Sequence, residues 1–339
     1  MYSPDNGHLK VLNSKPKLRF DKNKPFESQQ KTIRKKVLEL LGHTPEKVPL
    51  NPVIEYKKEK EAYTEYRIAF DTEEDVQAIC RLCIPKLGKQ KYPLVICVQG
   101  HTRGMHVSLG EHVYGELDDP EGDEADYASQ ALEQGYAALC LEQRGMGERR
   151  TEMEQKDDKG QTRCHITAMN ALLLGRTMIG ERCWDISRAI DLALTFPEID
   201  GDKIGLTGYS GGGTATYYGA IFDERIKIAM AVGAVCTFRS SISAMFHCTC
   251  NFVPKIAEYV DMGDMAAAIA PRKLIIVNGR RDSIFPDHGV RESYNIIRDV
   301  YESAGVPENC AHITGEGGHR CYKVPSWEAF NRLTGWKTY

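Results

Sequence analysis

Five short apolar runs set the fold of this chain: LVICVQG at 94–100, YAALCLE at 136–142, KIGLTG at 203–208, IKIAMAV at 226–232 and KLIIVNG at 273–279. Each is too short for a helix and too continuously apolar for a strand with one wet face, so each reads as a strand buried on both sides. The spacing between them is helical. A helix is expected at 123–134, and another from about 182 to 196, with Cys183, Ile186, Ile190 and Leu194 on one face. Further helices follow Ser210, run through Val290, Tyr294, Ile297 and Tyr301, and close the chain. Strands alternating with helices of this length form right-handed crossover units, which predicts an α/β fold with a mainly parallel sheet covered on both faces.

The 90 residues before this series follow a different pattern. Residues 1–25 are rich in Lys, Pro and Asn and are expected to run as an extended arm, and Phe26–Leu41 has helical spacing ended by Gly42. TEYRIAF and VQAICRLCIP then read as the two strands of a hairpin-like lead-in. The organisation expected is an N-terminal elaboration over 1–90, integrated with a catalytic domain over 91–339.

At 206–215, LTGYSGGGTA sets one serine among four glycines where a buried strand gives way to a helix. Gly208-Tyr209-Ser210-Gly211-Gly212 is G-x-S-x-G in strand–turn–helix context, the nucleophile elbow. The bend holds the Ser210 hydroxyl above the sheet, and side chains two residues before and after it would collide. The spacing fits neither a dinucleotide-binding fingerprint nor a phosphate loop ending in Gly-Lys-Ser/Thr.

A serine hydroxyl needs a base, and the base needs a carboxylate to orient it. In this type of fold the three follow in the order Ser, acid, His. Asp282 comes three residues after the strand ending at Gly279; Asp287, nearer the next helix, is the rival. His319 lies in GEGGHRCY, on a glycine-flanked loop between a strand-like segment and the last helix, whereas His312 is in the strand and His288 precedes a helix. The expected triad is Ser210, Asp282 and His319. Developing oxyanion charge needs N–H donors; these are expected from Gly211, directly after the serine, and His101 in QGHTRG. Gln99, Tyr209 and His247 are the candidates to touch substrate.

VQGHTRGMHVSLG, the 37-residue stretch from GERCWDIS to GYSGGGTAT, HCTCNFVP, IAPRKLIIVNGRRDSIFP and GGHRCY resemble the acetyl-xylan-esterase branch of the α/β-hydrolase superfamily, which is related to the dienelactone hydrolases. The likeness runs from about residue 26 to the C-terminus. It implies an α/β-hydrolase fold with a small cap insertion at about 237–270. It also implies a serine carboxylic-ester hydrolase acting through an acyl-enzyme, with no cofactor. Dienelactone hydrolases proper use a cysteine nucleophile, so the serine argues against that activity. Members named for acetyl xylan are often exported, and the polar N-terminus here reads as no export signal, so small acetylated sugars or other short-acyl esters are expected in place of polymeric xylan. Two alternatives remain: a peptidase of the prolyl-oligopeptidase type, which shares the elbow, and a non-catalytic ligand-binding hydrolase fold.

The partner expected is therefore a small-molecule ester. A net charge of −3 spread along the chain gives no footprint for nucleic acid, and no apolar run reaches the ~20 residues that span a bilayer. With eleven cysteines and a polar N-terminus, reduced thiols in the cytoplasm are expected. The cap and the N-terminal arm could each build a contact between copies. FHCTCNFVP offers His247, Cys248 and Cys250 close together, but no second ligand pair with zinc spacing follows, so the segment reads as pocket wall, with no metal. The acidic stretch 111–126 and the mixed-charge stretch 147–165 read as solvated loops at the rim, Glu142 and Arg144 as an ion pair supporting a loop, and Trp184 as helix packing.

Overall fold

A computed structural model describes residues 2–102, 104–113, 124–156 and 164–336. Nine strands lie in one sheet: β1 (Val53–Glu59), β2 (Tyr63–Glu73), β3 (Val76–Pro85), β4 (Tyr92–Val98), β5 (Ala137–Leu141), β6 (Ile199–Tyr209), β7 (Ile226–Val232), β8 (Lys273–Gly279) and β9 (Cys310–Gly315). Their order is β1-β2-β3-β5-β4-β6-β7-β8-β9. The first three strands pair antiparallel and join β5 antiparallel. From β5 to β9 every pairing is parallel. This is the α/β-hydrolase fold, and the crossover series of apolar runs is what builds it.

The helices are α1 (Asp5–Leu12), α2 (Phe26–Leu40), α3 (Tyr127–Glu133), α4 (Glu152–Lys156), α5 (His165–Leu173), α6 (Met178–Ala193), α7 (Gly211–Phe222), α8 (Ile256–Tyr259), α9 (Met262–Met265), α10 (Asp287–Ser303) and α11 (Lys323–Thr334). They cover the sheet on both faces. On β4, Leu94, Ile96 and Val98 face a core shared with α2, α6, α7 and α10, while Val95 and Cys97 face one shared with α3 and α11. All seven residues of β4 are buried, because alternate side chains enter two different cores. Among the described residues no helix is long and apolar enough to cross a membrane.

Three sequence expectations change. The N-terminal arm holds a helix, α1, none of whose residues is buried. Without an apolar stripe it left no periodic signal, although Asp5 in its first turn and Lys10 in its last suit the helix dipole. The lead-in has three strands, not two. β1 is an exposed edge strand in which Lys57 and Lys58 occupy positions that water can reach, and charged edges of this kind resist pairing with another chain. Glu142 and Arg144 do not pair. Arg144 instead binds Asp185 through Nε and Nη2, both at 2.8 Å, and Glu73 at 2.6 Å. Between β7 and β8, over the stretch where a cap is expected, lie α8, α9 and short 3-10 turns. Residues 114–123 and 157–163, which carry much of the two charged rim segments, lie outside the described residues.

Asp185 also accepts from Arg149 at 2.6 Å. Burial alone would raise its pKa, but the two guanidinium groups outweigh that and hold the carboxyl at about 2. Removing one member of such a buried cluster strands the others. Arg144→Met should lower unfolding free energy by roughly 3–5 kcal/mol, read from urea transitions followed by circular dichroism. A loss within ~0.5 kcal/mol, the level of a neutral surface change, would show the cluster to be incidental.

Candidate active site

The carboxyl ends of β4, β6, β8 and β9 converge on one place, and each of these strands contributes to it. Ser210 follows β6 with φ 55° and ψ −118°, a conformation no ordinary turn residue adopts. The surroundings enforce it. A Cβ on Gly208 would lie 2.5 Å from the Val98 carbonyl oxygen and 2.6 Å from the backbone of Gly212, and one on Gly212 would land on the same Val98 oxygen. The chain can turn here only if both positions are glycine. Ser210 N–H donates to Val232 O at 2.8 Å, and Ser210 O accepts from Thr214 N at 2.9 Å, so the bend is tied to β7 and α7 together.

Asp282, in the loop after β8, is 4% exposed. Its Oδ1 accepts from the backbone N–H groups of Ile284 at 2.8 Å and Phe285 at 2.9 Å. Its Oδ2 meets His319 Nδ1 at 2.7 Å. The rival carboxylate faces elsewhere: Asp287 binds Arg291 at 2.6 Å and accepts from Asn278 at 3.1 Å. His319 is clamped further by its neighbours. Phe285 stacks on its ring at 5.8 Å between centroids, and the Tyr209 hydroxyl donates to its carbonyl at 2.6 Å. With Nδ1 fixed by Asp282, Nε2 is the atom left to exchange protons. It is buried and has no hydrogen-bond partner. Among the described residues, His312 instead pairs with Asn278 at 2.7 Å, and His288 is exposed.

Gly211 opens α7, so its N–H has no acceptor within the helix. His101 lies on the loop after β4, with its ring against Gly211: a Cβ on Gly211 would fall 2.6 Å from His101 Cε1. The residues expected to supply the two oxyanion donors are therefore in contact through the His101 ring. Gln99, Tyr209 and His247, by contrast, lie just behind the surface as supports. Gln99 is fully buried and donates to Glu142 Oε1. Tyr209 packs on His319 at 4.9 Å between centroids. His247 Nε2 meets Ser241 Oγ at 3.1 Å, and burial, then the nearby His101 and His319, lower its pKa.

Two features escaped the sequence reading. Glu142 sits beneath the loop after β4, its Oε2 accepting from Met105 N–H at 3.2 Å. Burial, outweighing that hydrogen bond, pushes its carboxyl up to about 8. The second is a sulfur cluster. His101 Nε2 lies 3.1 Å from Cys250 Sγ and 3.8 Å from Cys164 Sγ, and Cys164 Sγ lies 2.8 Å from Cys248 Sγ. His247 is not among them; the histidine in the cluster comes from the β4 loop. No local spacing could announce a group assembled from positions 101, 164, 248 and 250.

Over residues 7–316 the sequence matches the Abhydrolase family. The chain belongs to that family. It is 24% identical over 312 residues to "Putative hydrolase YtaP" of Bacillus subtilis (strain 168), spanning 89% of this chain and 98% of that one. A "putative acetyl xylan esterase" from Bacteroides fragilis NCTC 9343 superposes with a TM-score of 0.77 at 18% identity, covering 93% of this chain and 83% of the other. A glucuronoyl esterase from Solibacter usitatus gives 0.68 at 15% identity, over 96% and 98%. An acetyl xylan esterase from Paenibacillus sp. R4 gives 0.60 at 17%, also over 96% and 98%. At these identities the likeness establishes the α/β-hydrolase fold.

Glu142 makes the stability of this Abhydrolase chain depend on pH. An unfolded glutamate ionises near ~4.3, whereas the folded group holds its proton up to about 8. The folded state therefore binds the extra proton between those values, and stability is lost as pH rises through that window, at up to ~1.4 kcal/mol per unit. Glu142→Gln cannot ionise. Its unfolding free energy relative to wild type should climb from pH 5 to pH 8 in parallel denaturant titrations. A difference that stays flat across that range would mean that Glu142 is charged when folded.

Proposed function

We propose that this chain is a serine carboxylic-ester hydrolase that works through an acyl-enzyme and releases acetyl or other short acyl groups from small polar esters, carbohydrate esters among them. The observation that carries the reading is the Asp282–His319 pair at 2.7 Å, which leaves His319 Nε2 without a hydrogen-bond partner while the ring packs on Tyr209, the residue before Ser210. In the proposed reaction, His319 Nε2 takes the Ser210 Oγ proton as that oxygen attacks the ester carbonyl. The oxyanion is held by the N–H groups of Gly211 and His101, and His319 returns the proton to the leaving alcohol. A water molecule then gives a proton to His319 as its oxygen attacks the acyl-serine, and His319 passes that proton to Ser210 Oγ as the acid leaves. Asp282 holds the imidazole in the tautomer with hydrogen on Nδ1 and offsets the imidazolium charge. The names of the relatives fit an ester substrate, since several are called esterases.

The test is hydrolysis of p-nitrophenyl acetate, butyrate and octanoate. Turnover should fall with acyl length, and Ser210→Ala should lower kcat by at least ~10⁴-fold with the fold intact. No turnover on any ester by folded protein would defeat the reading. Asp282→Asn should lower kcat by roughly 10²–10⁴-fold with little change in KM, while Asp287→Asn stays within about threefold of wild type. A larger loss from Asp287→Asn would transfer the acid role to that residue.

A further inference from the structure

His101, Cys164, Cys248 and Cys250 bring one ligand atom each to a common point, all four within 4.8 Å of one another. They arrive from three separate places: the loop after β4, the residue capping the start of α5, and the insertion between β7 and β8. Around a tetrahedral zinc with Zn–S near ~2.3 Å and Zn–N near ~2.0 Å, neighbouring ligand atoms stand about 3.5–3.8 Å apart. The distances of 2.8, 3.1 and 3.8 Å bracket that range, so small side-chain rotations bring the four to one metal. Three soft sulfurs and one imidazole form a donor set that selects zinc over the oxygen-loving cations.

Charge supplies an independent argument. Arg182 is 1% exposed and lies beside Cys250, Cys164 and Cys248. Its Nε and Nη2 donate to the Arg144 carbonyl at 3.2 and 2.9 Å, while Nη1 is buried without a partner. Among the described residues no carboxylate forms an ion pair with it. Beside neutral thiols this guanidinium would be an uncompensated buried charge, which proteins rarely tolerate. Three thiolates and one imidazole on Zn²⁺ carry a net charge of −1, which balances it.

We infer that His101, Cys164, Cys248 and Cys250 form a structural zinc site behind the oxyanion loop. Binding replaces three S–H bonds by Zn–S bonds and releases three protons to solvent; no electrons are transferred. Four protein ligands leave no open position, so the metal acts as a clasp. It fastens the loop carrying the His101 N–H to α5 and to the β7–β8 insertion. This clasping role rests on the oxyanion assignment proposed above; the existence of the site does not.

The test uses full-length protein from zinc-supplemented medium, purified without chelator. Mass spectrometry of metals should find about one zinc per chain, and X-ray absorption should show three sulfurs at ~2.3 Å with one imidazole nitrogen. Ser210→Ala, which removes the proposed chemistry, should hold the same zinc, so metal content and esterase activity fail separately. Cys250→Ser should lose most of the metal, and Cys310→Ser, outside the cluster, should keep it. If Cys250→Ser does not fold, titrating wild type with a mercurial should release the zinc to a chromogenic chelator. The inference fails if wild type, reduced and incubated with stoichiometric Zn²⁺, retains less than about a tenth of an equivalent after desalting. It fails equally if the bound zinc has only nitrogen and oxygen ligands, or if Cys164 and Cys248 are isolated as a disulfide.

Discussion

The steric collision avoided at Gly208 and Gly212 is the constraint on which the arrangement of this molecule depends. β4 and β6 are neighbours, and the carbonyl of Val98 at the end of β4 occupies the space that side chains at either glycine would fill. Once that space is taken, the chain leaving β6 must turn sharply, and Ser210 is held in a conformation that costs of order 1–3 kcal/mol. The surrounding structure supplies that energy through Ser210 N–H on Val232 and through the first turn of α7. The same contact that strains the serine presses the loop after β4 against it. Proposed nucleophile and proposed oxyanion donors are thus positioned by a single packing event.

Beneath the loops, the site rests on buried charge. Arg144, Arg149, Asp185 and Glu73 form one connected cluster, in which Asp185 stays ionised because two guanidinium groups outweigh its burial. Glu142, which forms no ion pair among the described residues, is pushed by burial up to about 8 and accepts from Gln99 instead. The contrast shows how position sets the charge of two acids a few residues from the same loop. One compensates arginines and fixes α6 to the strands. The other is a neutral wedge under the chain that leads to His101.

How much of this was legible follows from the range of the interactions. The parallel strands announced themselves because a strand buried on both faces must be apolar throughout, as in Leu94–Val98. Ser210, Asp282 and His319 could be put forward as candidates because this type of fold fixes the order of such residues along the chain and the kind of loop each occupies. α1 and β1 were not, since neither buries a periodic face. Which residues would touch substrate is harder to read for a related reason. Adjacency in sequence to the serine or to the loop after β4 does not say which way a side chain turns, and Gln99 and Tyr209 turn inward.

The sulfur cluster shows the same limit and adds a mechanical point. Gly211 N–H is aimed by α7, a helix packed on both β6 and β7, and needs no further support. His101 N–H belongs to a loop, and loops move more than the elements they join. An oxyanion donor displaced by an ångström loses much of its value. A proposed loop donor therefore needs a second attachment, and among the described residues the backbone around His101 forms no hydrogen bond to the insertion. Its side chain does, by reaching Cys250 and Cys164. The identity of residue 101 is indifferent to a backbone donor but decisive for that attachment, so the histidine there is explained by its ring and not by its amide.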